Sequence, residues 1–216
     1  MSISESEKAD YSLLSTLGIL NDDQIIQLGL KGMITPFVEG QVRTNPSGDD
    51  ATASVMPYDD KVISYGTGSF GYDARLGTTF KVFSDTHCIV MDPKHPNPQA
   101  FVDIDTQGSP LIIPPHGYVL GHTVEIFDLP DNIVMICIGK STYARSGLLI
   151  NVTPGEPEWR GMITLELANL LPIPLKVYPN EGICQFLFWR GLRPKTTYAD
   201  RNGKYQDQRG VVLPRL

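Results

Sequence analysis

Beyond Lys61 the chain is punctuated into short apolar or alternating runs closed by Pro, Gly, Asn or Asp. They fall at Thr79–Phe83, Leu111–Ile113, Tyr118–Val124, Ile133–Ile138, Leu148–Val152, Met162–Leu167, Leu175–Tyr178 and Ile183–Trp189. Runs this short, with turn residues between them, can bury alternate side chains as strands but cannot carry the longer stripe a packed helix needs. One segment does read as a helix: Asn21, Asp22 and Asp23 stand before Ile25, Ile26, Leu28 and Leu30, a cap and acidic first turn ahead of an apolar face, with Gly32 and Pro36 ending it. Ala144–Gly147 can add a turn. So little helix among so many strands disfavours a doubly wound sheet and predicts a mainly β sandwich or barrel with a short N-terminal helix. The 216 residues, 41% of them apolar, suffice for one core, and the 20 Gly and 17 Pro for its turns. The expected division is an N-terminal extension over 1–20, one β domain over 21–192, and a closing segment of the same domain over 193–216. Thr44–Asp60, rich in Asn, Pro, Ser, Gly and Asp, reads as an exposed loop.

Several function classes lack the residues they need. Lys and Arg number 18 against 24 Asp and Glu, a formal charge of -6, so a nucleic-acid or anionic-membrane surface is not expected and any phosphate site must be local. Cys88, Cys137 and Cys184 lie about fifty residues apart, which offers neither a disulfide framework nor a CxxC pair. Met1–Asp10 is polar and acidic, and no long apolar stretch follows, so a soluble cytoplasmic protein is expected. His87, His95, His116 and His122 match no zinc-ligand spacing, and structural or surface roles are expected of them.

Three segments can carry chemistry. Gly139–Gly147, just after an apolar strand, offers Lys140, Ser141, Thr142, Tyr143, Ala144 and Arg145: two cations, hydroxyls and backbone N–H groups able to meet a polyphosphate. The order is not that of a P-loop, and a solvated turn is the bland alternative. In Gly161–Asn169, strand alternation sets Ile163, Leu165 and Leu167 on one face and Thr164, Glu166 and Ala168 on the other, which leaves Glu166 among small neighbours or simply in solvent. The polar tail, with Tyr198, Arg201, Lys204, Tyr205, Gln206, Gln208 and Arg209, can close over a ligand or fray. Tyr65–Arg75 is glycine-dense but has no βαβ unit around it, so a tight turn or a packing segment between subunits is expected rather than a dinucleotide loop.

Taken in order, Ser64-Tyr65-Gly66, Gly71–Arg75, Gly139–Asn151, Pro157–Gly161, Thr164-Leu165-Glu166, Gly203–Gln206 and Gln208-Arg209-Gly210 resemble the dCTP deaminase family over roughly residues 20 to 216. The resemblance implies the dUTPase-like β fold, a tail closing over the site, and a homotrimer with sites at subunit boundaries. It implies that dCTP is deaminated to dUTP and ammonia without zinc, ahead of dUMP and dTTP synthesis, with dTTP a candidate inhibitor. Lys140–Arg145 would embrace the triphosphate, with Ser141 and Arg145 reaching the reaction centre. Thr164, Leu165 and Glu166 would line the base and sugar pocket with Gln185 nearby, and Tyr198, Lys204 and Gln208 would come from the tail. Magnesium would ride on the triphosphate and not on protein ligands.

The chemistry suits these residue types. Cytosine deamination needs water added at C4 and protons delivered to N3 and then to the leaving amine, transfers that one carboxylate, Glu166, can carry. The HxE and PCxxC signature of zinc deaminases is missing. Ser141 and the backbone carbonyls of Val152–Pro154 are candidates to hold the water, and Arg145 to keep Glu166 ionised. In some members a longer loop before the Trp-x-Gly element carries an arginine near the glutamate, whereas Thr153-Pro154-Gly155-Glu156-Pro157 has none. Glu156, ten residues before Glu166, leaves open a bifunctional enzyme that goes on to dUMP and pyrophosphate. A nucleotide sensor would be expected to lose Glu166 or the Lys140–Arg145 segment, and both are present.

Overall fold

The structure, a computed structural model, describes residues 17–44, 61–87 and 90–215. Most of the anticipated loop Thr44–Asp60, most of the extension before residue 20, and Cys88 lie outside the described residues. In chain order the elements are β1 (Gly18–Ile19), α1 (Asp22–Leu28), β2 (Ile34–Thr35), β3 (Val42–Thr44), β4 (Lys61–Gly68), β5 (Gly71–Arg75), β6 (Thr79–Phe83), β7 (Phe101–Asp105), β8 (Leu111–Ile113) and β9 (Tyr118–Asp128). They continue with β10 (Ile133–Gly139), α2 (Ser141–Arg145), β11 (Leu148–Asn151), β12 (Arg160–Asn169), β13 (Leu175–Val177) and β14 (Gly182–Arg190).

The helix begins where its sequence says. The Asn21 side chain accepts from Gln24 N at 3.1 Å while the Gln24 side chain accepts from Asn21 N at 3.2 Å, a reciprocal cap that satisfies two otherwise orphaned donors. It ends sooner than Gly32: the chain passes at Gly29–Met33 into a π-helical turn, inside which Gly32 takes φ 98°. Gly29 there lies so close to the Phe37 ring that a Cβ would come within 2.4 Å of it.

Two antiparallel sheets form the body. One runs β1-β14-β5-β4-β3, with β10 also on β14; the other runs β11-β12-β9-β6-β7, with β2 on β9. β8 and β13 make a separate pair. Between the sheets lie Tyr72, Phe80, Phe127, Phe186 and Phe188, all at most 2% exposed. Phe127 of the second sheet meets Phe186 of the first at 4.8 Å between ring centres, a tilted contact of the kind aromatic quadrupoles favour. A buried ion pair also crosses the gap: Arg75 of β5 donates from Nε to Glu125 Oε1 at 2.8 Å and from its backbone N to Oε2 at 2.9 Å.

The glycine-dense segment 65–75 is mostly strand. β4 and β5 form a hairpin pairing Gly68 with Gly71, and only Ser69–Phe70 are the tight turn. Its glycines serve close backbone approach: a Cβ on Gly66, at φ 101°, would sit 2.2 Å from the Gly40 carbonyl oxygen. His122 is structural. It is 9% exposed, with Nδ1 2.9 Å from the Thr123 carbonyl oxygen and Nε2 2.8 Å from Thr79 Oγ1. Among the described residues no helix is long and apolar enough to cross a membrane.

Candidate active site

The alternation along β12 is realised residue by residue. Ile163, Leu165 and Leu167 are 5%, 0% and 0% exposed in the core, while Thr164 and Glu166 are half-buried on the opposite face. That face forms one wall of a cavity of about 590 Å³. Tyr118 and Leu120 of β9, Asn151 at the end of β11 with Val152–Gly155 after it, and Trp159 add to the walls around Glu166, and Tyr198, Tyr205 and Gln208 enter from the tail.

Glu166 sits in this partly apolar setting with its carboxyl held above the ordinary glutamate range. Burial is the main cause, because it penalises the charged form; a hydrogen bond from Asn151 Nδ2 to Oε2, at 3.0 Å, pulls back the other way. The Tyr118 hydroxyl is likewise raised, first by burial and then by the charge of Glu166. A carboxyl moved toward neutrality can give a proton as well as take one, the property a shuttle needs.

The tail is docked on the start of β12. Asp207 N donates to Arg160 O at 2.8 Å, Met162 N to Gln208 O at 3.0 Å, and Gln208 Nε2 to Met162 O at 2.6 Å. Gly161 and Gln208 bridge in parallel, and a Cβ on Gly161, at φ 152°, would lie 2.9 Å from the Gln208 carbonyl oxygen. Ion pairs Arg160–Asp207 and Arg201–Glu156 lie along the same seam. Glu156 is thus engaged by the tail and is not on the cavity wall that Gly155 helps to form. Lys204 is exposed, with Nζ on the Arg215 carbonyl at 3.1 Å, and its neighbour Tyr205 reaches the cavity.

The Gly139–Gly147 segment lies elsewhere on the chain. Ser141, Thr142, Ala144 and Arg145 are exposed on the single turn α2. Tyr143 is 3% exposed, and its hydroxyl accepts from Tyr178 N at 3.0 Å, so its ring belongs to the core. Lys140 Nζ lies 2.6 Å from Asp73 Oδ2, a carboxylate 3% exposed that also accepts from Gln41 Nε2 at 2.8 Å and Gln185 Nε2 at 3.3 Å.

The anticipated site residues therefore separate into two groups within one chain. Thr164, Glu166, Tyr198 and Gln208 share the cavity; Lys140 and Gln185 share Asp73, next to the exposed turn bearing Ser141 and Arg145. Leu165 can offer a ligand only its backbone, as its side chain is in the core. Within the chain the groups that set the Glu166 carboxyl are burial and Asn151, in the place anticipated for Arg145. Val152, Thr153 and Pro154 do line the cavity. Asn151, Tyr118 and Trp159 are site residues that the sequence does not single out, whereas Tyr205 belongs to the tail expected to close over a ligand. The strands carrying Asn151 and Glu166 are legible there, but the register that sets the two side by side is not.

A family model described as dCTP deaminase-like matches residues 19–191. A dCTP deaminase of Acidiphilium cryptum is 51% identical over 186 residues, covering 86% of this chain and 91% of that protein. Another, of Granulibacter bethesdensis, is 48% identical over 202 residues, covering 93% of this chain and 100% of that protein. Among solved structures, the 2'-deoxycytidine 5'-triphosphate deaminase of Agrobacterium tumefaciens superposes with a TM-score of 0.54 at 16% identity, over 82% of this chain and 49% of that one, a likeness of fold.

Proposed function

The chain belongs to the dCTP deaminase-like family, and from that premise we propose that it hydrolyses dCTP to dUTP and ammonia with Glu166 as the proton carrier. The observation that carries the assignment of Glu166 is its place: a half-buried carboxyl, raised by burial, on the wall of a cavity closed by the tail. Glu166 takes a proton from the water as it adds to C4 and delivers it to N3; it then takes the proton of the new C4 hydroxyl and gives it to the amine, which leaves as ammonia as the C4–N bond breaks and the C4 carbonyl forms. The backbone carbonyls of Val152–Pro154 orient the water from the same wall. Tyr198, Tyr205 and Gln208 exclude solvent from above.

The triphosphate is met by Lys140–Arg145. Because those residues and Glu166 do not converge in one chain, the complete site is shared between copies, and a homotrimer with boundary sites accounts for the division. Ser141 and Arg145 then reach the cavity of a neighbouring copy. In this reading the water is held by hydrogen bonds and the reaction needs no protein-bound zinc. Magnesium fits as a companion of the triphosphate, whose oxygens supply its hard ligands.

Glu156 is tied to Arg201 and stands off the cavity wall, which favours dUTP as the final product over onward hydrolysis to dUMP. The test is to incubate the protein with dCTP and magnesium, with and without a zinc-selective chelator and with added dTTP, and to resolve the products by ion exchange. Accumulating dUTP that ignores the chelator is expected. Formation of dUMP and pyrophosphate would instead give Glu156 a catalytic role, and absence of any uracil product would remove the assignment.

A further inference from the structure

A proton shuttle must keep its carboxyl aimed at the substrate in two states, ionised and protonated, and the fold provides a fixed partner for it. β11 pairs with β12 so that Asn151 stands directly opposite Glu166, and directly paired residues in an antiparallel ladder project to the same face. The rest of β11 fixes this placement: Leu148 and Ile150, 3% and 8% exposed, anchor the strand in the core and leave Asn151 on the cavity side. Its Nδ2 then donates to Glu166 Oε2 at 3.0 Å, among the described residues the one hydrogen bond to that carboxyl.

We propose that Asn151 is a positioning residue for Glu166: its neutral amide pins Oε2 through both protonation states and leaves Oε1 to exchange protons with water, N3 and the amine. This rests on Glu166 being the shuttle. The chemistry of the donor matters. A cationic partner would stabilise the carboxylate alone and oppose its protonation, whereas an amide N–H can donate to a carboxylate oxygen or, with the proton on Oε1, to the carbonyl oxygen of the acid. The loop Thr153–Pro157 that follows carries no basic side chain to take over the task. Asn151 also leads directly into Val152–Pro154, so the same residue that aims the carboxyl begins the wall assigned to the water.

The test compares Asn151→Ala and Asn151→Gln with the parent, using steady-state kinetics on dCTP from acid to neutral pH, with Glu166→Gln assayed in parallel. Losing a hydrogen bond to a charged group predicts a fall in kcat of about 10- to 100-fold for Asn151→Ala, with KM little changed. Because the Asn151 bond lowers the Glu166 pKa against burial, removing it must move the acid limb of the kcat profile to higher pH. Asn151→Gln, which can still reach with an amide, should recover part of the rate and return the limb toward the parent. A parent-like kcat and acid limb in Asn151→Ala would overturn the inference, as would an equal loss in both variants with a lowered melting temperature, which marks a merely structural role. If Glu166→Gln itself turns over near the parent rate, the shuttle assignment fails, an outcome separate from inactive Glu166→Gln beside an unaffected Asn151→Ala.

Discussion

Replacing Glu125 with Gln tests what clamps the two sheets on which the site is built. Glu125 is 0% and Arg75 18% exposed at the side chain, so the pair is largely removed from solvent screening. The carboxylate accepts from both Arg75 Nε and Arg75 N, and the Tyr72 hydroxyl lies 3.5 Å from Oε1. Gln has one acceptor where Glu has two, so its NH₂ must face one of the Arg75 donors. The guanidinium then stays buried without a counter-charge, and among the described residues its Nη2 already has no hydrogen-bond partner, with Tyr65 the ring beneath the group at 5.1 Å. Breaking a buried pair from one side costs about 3–5 kcal/mol, and the residual exposure of Arg75 puts the expectation toward the lower half, about 3–4 kcal/mol. For a chain of this size that is a drop of about 6 to 16 °C in melting temperature. The assay is thermal and urea unfolding of Glu125→Gln, Arg75→Met and the Arg75→Met/Glu125→Met double variant at one fixed protein concentration, since self-association would make stability concentration-dependent. The double variant should be less destabilised than the sum of its single changes, because it leaves no orphaned charge. A loss below about 1 kcal/mol for Glu125→Gln, or strict additivity in the cycle, would refute the idea that this pair carries the contact between sheets.

Other outcomes follow from the same geometry. Because burial favours neutral Glu166, the base form should be lost on acidification at a pH above that of an ordinary glutamate near about 4.3, which a kcat/KM profile reads directly. Arg201→Ala removes a tail ion pair whose partners are 49% and 43% exposed, worth about 0–1 kcal/mol, so activity should stay within about twofold. Deletion of 193–216, by contrast, takes Tyr198, Tyr205 and Gln208 from the cavity and should abolish turnover; retained activity would show that the tail is not part of the site. Gly182→Ala should lower stability by at least about 2 kcal/mol in urea unfolding, because its Cβ would lie 1.9 Å from the Ser64 carbonyl oxygen with backbone unable to give way.

The sequence by itself determined the elements whose signals are local. Strands at Thr79–Phe83 and Leu111–Ile113 have the bounds their turn residues mark, and α1 starts at the cap and acidic turn spelled by Asn21, Asp22 and Asp23. The facing of Glu166 away from the core also followed from a period of two, since β12 buries Ile163, Leu165 and Leu167 on the other side. Segments whose structure depends on a distant partner were not legible in this way. β1, β2 and β3 are strands only because β14, β9 and β4 offer them edges, and the glycines of β4 and β5 look like turn residues until the backbone they accommodate is known. Tertiary structure alone decided that Lys140 and Gln185 meet at Asp73, that Glu156 holds the tail, and that Asn151 touches Glu166. Periodicity along one strand fixes which face a residue takes. Its neighbour on that face depends on the register between strands, which packing and turn geometry set over the whole fold.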